Sequence, residues 1–167
     1  MGAAQDLSAD RVLVGVGEAR AVRGPVCLST YGIGSCVGVC LVAEPKQVAA
    51  LLHAQLPMSK RHKERARAQP ALFADSGLVL LFRELEALGV GPRDLRAFLV
   101  GGAQMGAGVG SEIGPQNLRV ARRMLWRQHI PIEQELVGGA MARTVHLQVP
   151  PFSLEVKSPG GVSTTIP

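Results

Sequence analysis

Cys36, His53 and Thr30 are the residues of this 167-residue chain best equipped to break an acyl bond. Cys36 closes the run Thr30-Tyr31-Gly32-Ile33-Gly34-Ser35-Cys36 and opens Val37-Gly38-Val39-Cys40, and His53 stands in Leu52-His53-Ala54-Gln55-Leu56-Pro57. A free thiol is only slightly ionised at neutral pH. A neighbouring imidazole both stabilises the thiolate and carries the proton to a leaving group. The imidazole needs orienting in turn, and the hydroxyl or carbonyl of Thr30 can hold its far ring nitrogen. The chemistry open to such a trio is nucleophilic attack on a carbonyl carbon.

Two strands must bring the trio together. Gly32 and Gly34 let the backbone take a tight or left-handed path, which predicts Cys36 at a sharp corner where a strand begins, its thiol facing a cleft. The stretches 37–43 and 48–56 are almost wholly apolar or small, the pattern of strands buried on both faces. Pro45 lies in their connection, so they are expected to run antiparallel, with His53 partway up the return and beside Cys36. Spacing alone leaves a second reading open, because a lone Cys and a lone His on apolar strands are often core packing.

Further blocks follow along the chain. They are Thr30-x-Gly-x-Gly-Ser-Cys36-Val-Gly-Val, His53-x-x-Leu-Pro57, Phe73-Ala-Asp75, Gly101-Gly102-Ala-x-Met105, Ile113-Gly-x-x-Asn117 and Gly138-Gly139-x-x-x-Arg143-Thr144. In this order, across residues 11 to 157, they resemble CheD, the chemoreceptor glutamine deamidase family of bacterial chemotaxis. The resemblance implies Cys36 as nucleophile, His53 as general base and acid, and Thr30 as the residue that orients His53. It implies glutamine side chains of methyl-accepting chemotaxis receptors as substrate, converted to glutamate with release of ammonia through a thioester. The same route would hydrolyse receptor glutamyl methyl esters. Chemistry of this kind needs no metal and no organic cofactor, and backbone amides at the Gly34-Ser35-Cys36 corner are placed to meet the oxyanion. The competing reading is a non-catalytic adaptor that binds receptors and a CheC-type phosphatase, a partner the family takes. Retention of all three residues favours the enzyme. Ala140 departs from the Asn usual after Gly-Gly in the family, and Glu44-Pro45 stands where Asp-Pro is common.

Composition narrows the alternatives. A hydrophobic fraction of 47% over 167 residues suits one globular domain with a real core. No apolar run reaches the roughly 18 residues of a membrane span, and Met1-Gly2-Ala3-Ala4-Gln5-Asp6 has neither a secretory start nor a myristoylation pattern. A cytoplasmic protein without membrane insertion is expected. The three cysteines show no zinc or redox spacing, and Cys36 and Cys40 on one strand would stand about 13 Å apart, too far for a disulfide. Cys27 and Cys40 read as buried small apolar residues.

The net charge of +5 is concentrated in residues 60–67, where five basic side chains face one acid. Six aromatic residues in all, none interleaved there, argue against nucleic acid as a partner. The segment reads either as a solvated loop or as a rim over the active site that favours an acidic protein. The glycine-rich stretch 103–114 reads as a loop. It lacks the third Gly and the Lys-Ser/Thr of a phosphate cradle.

Strands are predicted over 11–16, 19–22 and 26–30, then over 95–100, 132–137 and 144–149, with an edge strand over 152–157. A helix capped by Asp75 or Ser76 carries Leu78, Leu81, Phe82, Leu85 and Leu88 at helical spacing and ends at Gly89, and a second helix runs from Pro115 to His129. His146 should alternate to the outside, and His62 and His129 are surface candidates without a role. Residues 1–10 and 158–167 are expected to be loosely held. The sum is α+β. The resemblance adds the layout, a layered sandwich of packed β-sheets with the two main helices outside, as a single domain over residues 1–167.

Overall fold

Apart from His53, residues 37–43 and 48–54 of the two central apolar runs have no strongly polar side chain to offer water. In the computed structural model, which describes residues 9–167, they are buried along their whole length as β4 (Val37–Ala43) and β5 (Val48–Ala54). They pair antiparallel, Val37 opposite Ala54 and Ala43 opposite Val48. With β2 (Glu18–Arg23), β6 (Arg96–Gly101) and β7 (Ile132–Val137) they form a sheet of order β2-β5-β4-β6-β7. A second sheet contains β1 (Asp10–Leu13), β3 (Val26–Ile33), β8 (Arg143–Val149), β9 (Ser153–Lys157) and β10 (Ser163–Ile166), in the order β1-β3-β8-β9-β10.

Side-chain alternation on β4 and β5 explains why both faces are apolar. Val39, Leu41, Ala50 and Leu52 meet the two long helices, α2 (Ala74–Ala87) and α3 (Ile113–Arg127), through Leu78, Leu81, Leu118, Ala121 and Leu125. Cys40, Val42, Ala49 and Leu51 meet Val26, Leu28, Val145 and Leu147 of the second sheet. The layers are therefore sheet, sheet, helices, an α+β sandwich. The second sheet has one core face and one wet face, so its strands alternate, as Val26, Leu28 and Thr30 inside against half-buried Cys27 and Ser29 show.

Several local expectations are corrected. Residues 163–166 form β10, because Gly160 and Gly161 make a hairpin turn and Thr164 and Thr165 are good strand formers that cover the edge of β9. Asp10 already belongs to β1, while residues 1–8 of the expected loose start lie outside the described residues. The basic segment is not a loop. It holds a 3-10 turn, Ser59–Arg61, and a short exposed helix, α1 (Lys63–Ala68). Helix α2 has no side-chain cap. Asp75 sits in its first turn and accepts from Ser59 N at 3.0 Å and Ser59 Oγ at 2.9 Å, which ties that 3-10 turn to the helix. Helix α3 begins two residues before Pro115, whose missing N–H costs nothing in a first turn. Cys27 and His146 are half-buried on the wet face of the second sheet, where Ser29 Oγ lies 2.7 Å from His146 Nδ1.

Candidate active site

The cysteine corner is built by two backbone irregularities and a clamp. The β3–β8 register shifts between Thr30 and Ile33, and Gly32 sits in that bulge at φ 69°, a left-handed conformation that other residues rarely adopt. The chain then bends through Gly34-Ser35-Cys36 into β4. Beyond β6, Gly102 N donates to Cys36 O at 2.7 Å and Ala103 N to Gly34 O at 2.9 Å, so both sides of the corner are held. Gly101 makes this approach possible. Its φ is 99°, and a Cβ there would stand 2.5 Å from Cys36 O and 2.3 Å from Ile33 Cγ2.

His53 lies opposite Gly38 on β4, on the face of β5 that looks at the second sheet. There its Nδ1 meets Thr30 Oγ1 of β3 at 2.7 Å, both residues being 0% exposed. The imidazole belongs to one sheet and its hydrogen-bond partner to the other. Its second nitrogen, Nε2, is buried without a partner. Cys36 stands two residues before Gly38, in the bend that leads into β4, and packs half-buried against the same inter-sheet cluster. The structure thus brings Thr30 and His53 into direct contact and sets Cys36 on the face that they share.

Burial governs the ionisation of these groups. It lowers His53 to about 4 and raises Cys36 above the usual thiol value, the Cys36 backbone N–H favouring the thiolate by a smaller amount. The resting pair is a neutral imidazole and a neutral thiol. Cys40, wholly enclosed, is pushed up to about 12 and is inert. Among the described residues no three His, Cys, Asp or Glu side chains cluster as a metal ion would require.

Asn117 was quoted above only within a motif, yet it is a structural member of the site. Fully buried in the first turns of α3, it donates from Nδ2 to Ser35 O at 2.9 Å and to Gln55 O at 3.0 Å. Two carbonyl acceptors fix the amide orientation, because the flipped amide would set oxygen against oxygen. The residue before the nucleophile is thereby tied to the end of the histidine strand. Asn117 Oδ1 is left buried without a partner, like His53 Nε2. A sequence signal existed: Asn117 falls on the stripe of Gly114, Leu118, Ala121 and Leu125, where a polar residue is out of place.

Beside this turn lies a cleft of about 400 Å³, with Leu56, Pro57 and Met58 on one wall, Ile113 and Gln116 on the other, and Lys60 and Arg61 at the side. The basic segment therefore borders this cleft through Lys60 and Arg61.

Comparison with known proteins agrees with the geometry. The profile of the family described as CheD chemotactic sensory transduction matches residues 55–158. A protein of Thermococcus kodakarensis named as a probable chemoreceptor glutamine deamidase CheD is 41% identical over 141 residues, covering 83% of this chain and 86% of that protein. The chemoreceptor glutamine deamidase CheD of Halalkalibacterium halodurans is 35% identical over 153 residues, 89% of this chain and 94% of that one. A probable CheD of Desulforamulus reducens matches at 35% over 153 residues, with coverage of 89% and 91%.

Proposed function

The chain belongs to the CheD family, and on that premise we propose that it is a cysteine-dependent protein-glutamine deamidase acting on methyl-accepting chemotaxis receptors. The observation that carries the reading is the buried Thr30–His53 hydrogen bond, which leaves His53 Nε2 unpartnered on the face that Cys36 shares.

With Nδ1–H donating to Thr30 Oγ1, the Nε2 lone pair is the base. His53 takes the Cys36 thiol proton as sulfur attacks the carbon of the glutamine carboxamide, and the carbonyl oxygen becomes an oxyanion for which backbone N–H groups of the Gly34-Ser35-Cys36 corner are the proposed donors. As the tetrahedral adduct collapses, the C–N bond breaks, nitrogen takes the proton from His53, and ammonia departs. A water then gives its proton to Nε2, attacks the thioester, and leaves glutamate with the thiol restored. A methyl ester would follow the same path with methanol as leaving group. Because both groups rest neutral, proton transfer and attack are coupled, and no standing thiolate is needed. We place the activity in the cytoplasm, with the receptor signalling domains. Among the described residues no helix is long and apolar enough to cross a membrane.

The test is mass spectrometry of a purified receptor cytoplasmic domain incubated with the protein and with Cys36→Ala. Glutamine-to-glutamate conversion by the parent alone is expected. No conversion by folded, reduced parent would overturn the deamidase reading in favour of a non-catalytic adaptor for receptors and a CheC-type phosphatase.

A further inference from the structure

A second hollow, about 480 Å³, lies between the outer faces of α2 and α3. Its floor is apolar, formed by Met58, Val79, Leu80, Val120 and Met124, with Val79 39% exposed. Its rim carries Arg83 from α2 and Arg123 and Arg127 from α3, all exposed. These arginines enter none of the ion pairs found among the described residues, whereas Arg122 on the same helix α3 does. The single carboxylate on the wall, Asp75, is already bound to Ser59. Met58 lines both this hollow and the cleft beside Asn117, so the two are neighbours, with Lys60 and Arg61 adding positive charge at the cleft end.

We propose that the α2–α3 groove is a docking surface, apart from the catalytic cleft, for an amphipathic acidic helix of the protein substrate. This rests on the deamidase reading, which supplies the substrate. A groove between two packed helices accepts a third helix that buries apolar residues at i, i+3 and i+4. The charge complementarity fixes the partner's character: three unpaired guanidinium groups around an apolar floor call for Asp and Glu flanking an apolar stripe. A helix so held is led by Met58 toward the corner of Cys36, and the reacting glutamine arrives from a segment already bound.

The test uses the Arg123→Glu/Arg127→Glu double variant of the full chain and the same receptor cytoplasmic domain. In the Cys36→Ala background, which binds without turnover, the charge reversal is expected to weaken receptor binding by about tenfold, and added salt to weaken the unreversed protein but hardly the reversed one. With Cys36 present, the reversal should raise KM by a similar factor with kcat little changed, and Arg123→Lys/Arg127→Lys should largely restore KM. An unchanged rate of Cys36 alkylation by iodoacetamide checks that the reversed variant is folded. Binding that is indifferent to the reversal overturns the docking surface whether or not receptors are deamidated. A salt-sensitive homodimer that the reversal dissociates would overturn it too, by giving the groove to a second copy. Absence of turnover by the parent would instead overturn the deamidase reading, and the binding result alone would then decide the groove.

Discussion

In the proposed mechanism His53 serves as a base because its surroundings keep it neutral. A free imidazole is protonated below 6.5, whereas burial holds His53 neutral down to about 4. The acid limb of kcat/KM for receptor deamidation should therefore lie near pH 4, and a limb at 6.5 would show an exposed, ordinary histidine. The same shift touches stability. Between pH 6.5 and about 4 the unfolded chain binds a proton at this position and the folded chain does not, so stability falls as pH drops through that window. The loss is on the order of 3 kcal/mol, and His53→Gln should remove that part of the slope in urea unfolding series. Thr30→Val keeps the shape and deletes the hydroxyl. It should cost about 1–3 kcal/mol, from the unpartnered Nδ1, and lower kcat at least tenfold by about the same logic of a misaligned base. Thr30, His53 and Cys36 were legible in sequence as candidates through the ordered motif blocks, since spacing alone left a core-packing reading open. Asn117 was not, since its worth lies in reaching two carbonyls 82 and 62 residues away in the chain.

At the scale of elements, β4 and β5 were readable because apolar residues on both faces can only be satisfied by burial on both faces. Strand β10 escaped notice because its four residues have little to bury and are held by pairing with β9. Helix α3 has a structural duty beyond covering a sheet, since its first turns seat the cysteine corner through Asn117. Asn117→Ala should lower stability by about 1–3 kcal/mol and reduce kcat, and Asn117→Asp should be at least as damaging, because a carboxylate would face the Ser35 and Gln55 carbonyls. Equal tolerance of Ala and Asp in thermal melts and turnover would deny the donor role. Gly101→Ala should be worse still for activity, as its Cβ meets Cys36 O at a positive φ. Peptide mapping of iodoacetamide-labelled protein would show whether Cys36 is displaced.

Over the whole molecule, the candidate site is a property of two sheets at once, with His53 on β5 and its hydrogen-bond partner Thr30 on β3. Neither sheet follows chain order, β1 pairing with β3 and β3 with β8, so periodicity could place strands but not assign them to layers. Packing between the sheets should consequently govern catalysis as well as stability. Leu28→Ala in the inter-sheet core should cost about 2–5 kcal/mol in denaturant unfolding and should lower kcat without touching any reacting group. In the proposed mechanism Cys36 forms a thioester with a receptor glutamine, and trapping that thioester is the decisive experiment. Receptor cytoplasmic domain mixed with the protein and quenched in acid within one turnover should yield, on mass spectrometry, a covalent complex lacking the mass of one ammonia and joined at Cys36. Glutamate formed at the parent rate by Cys36→Ala, with no such complex from the parent, would contradict it.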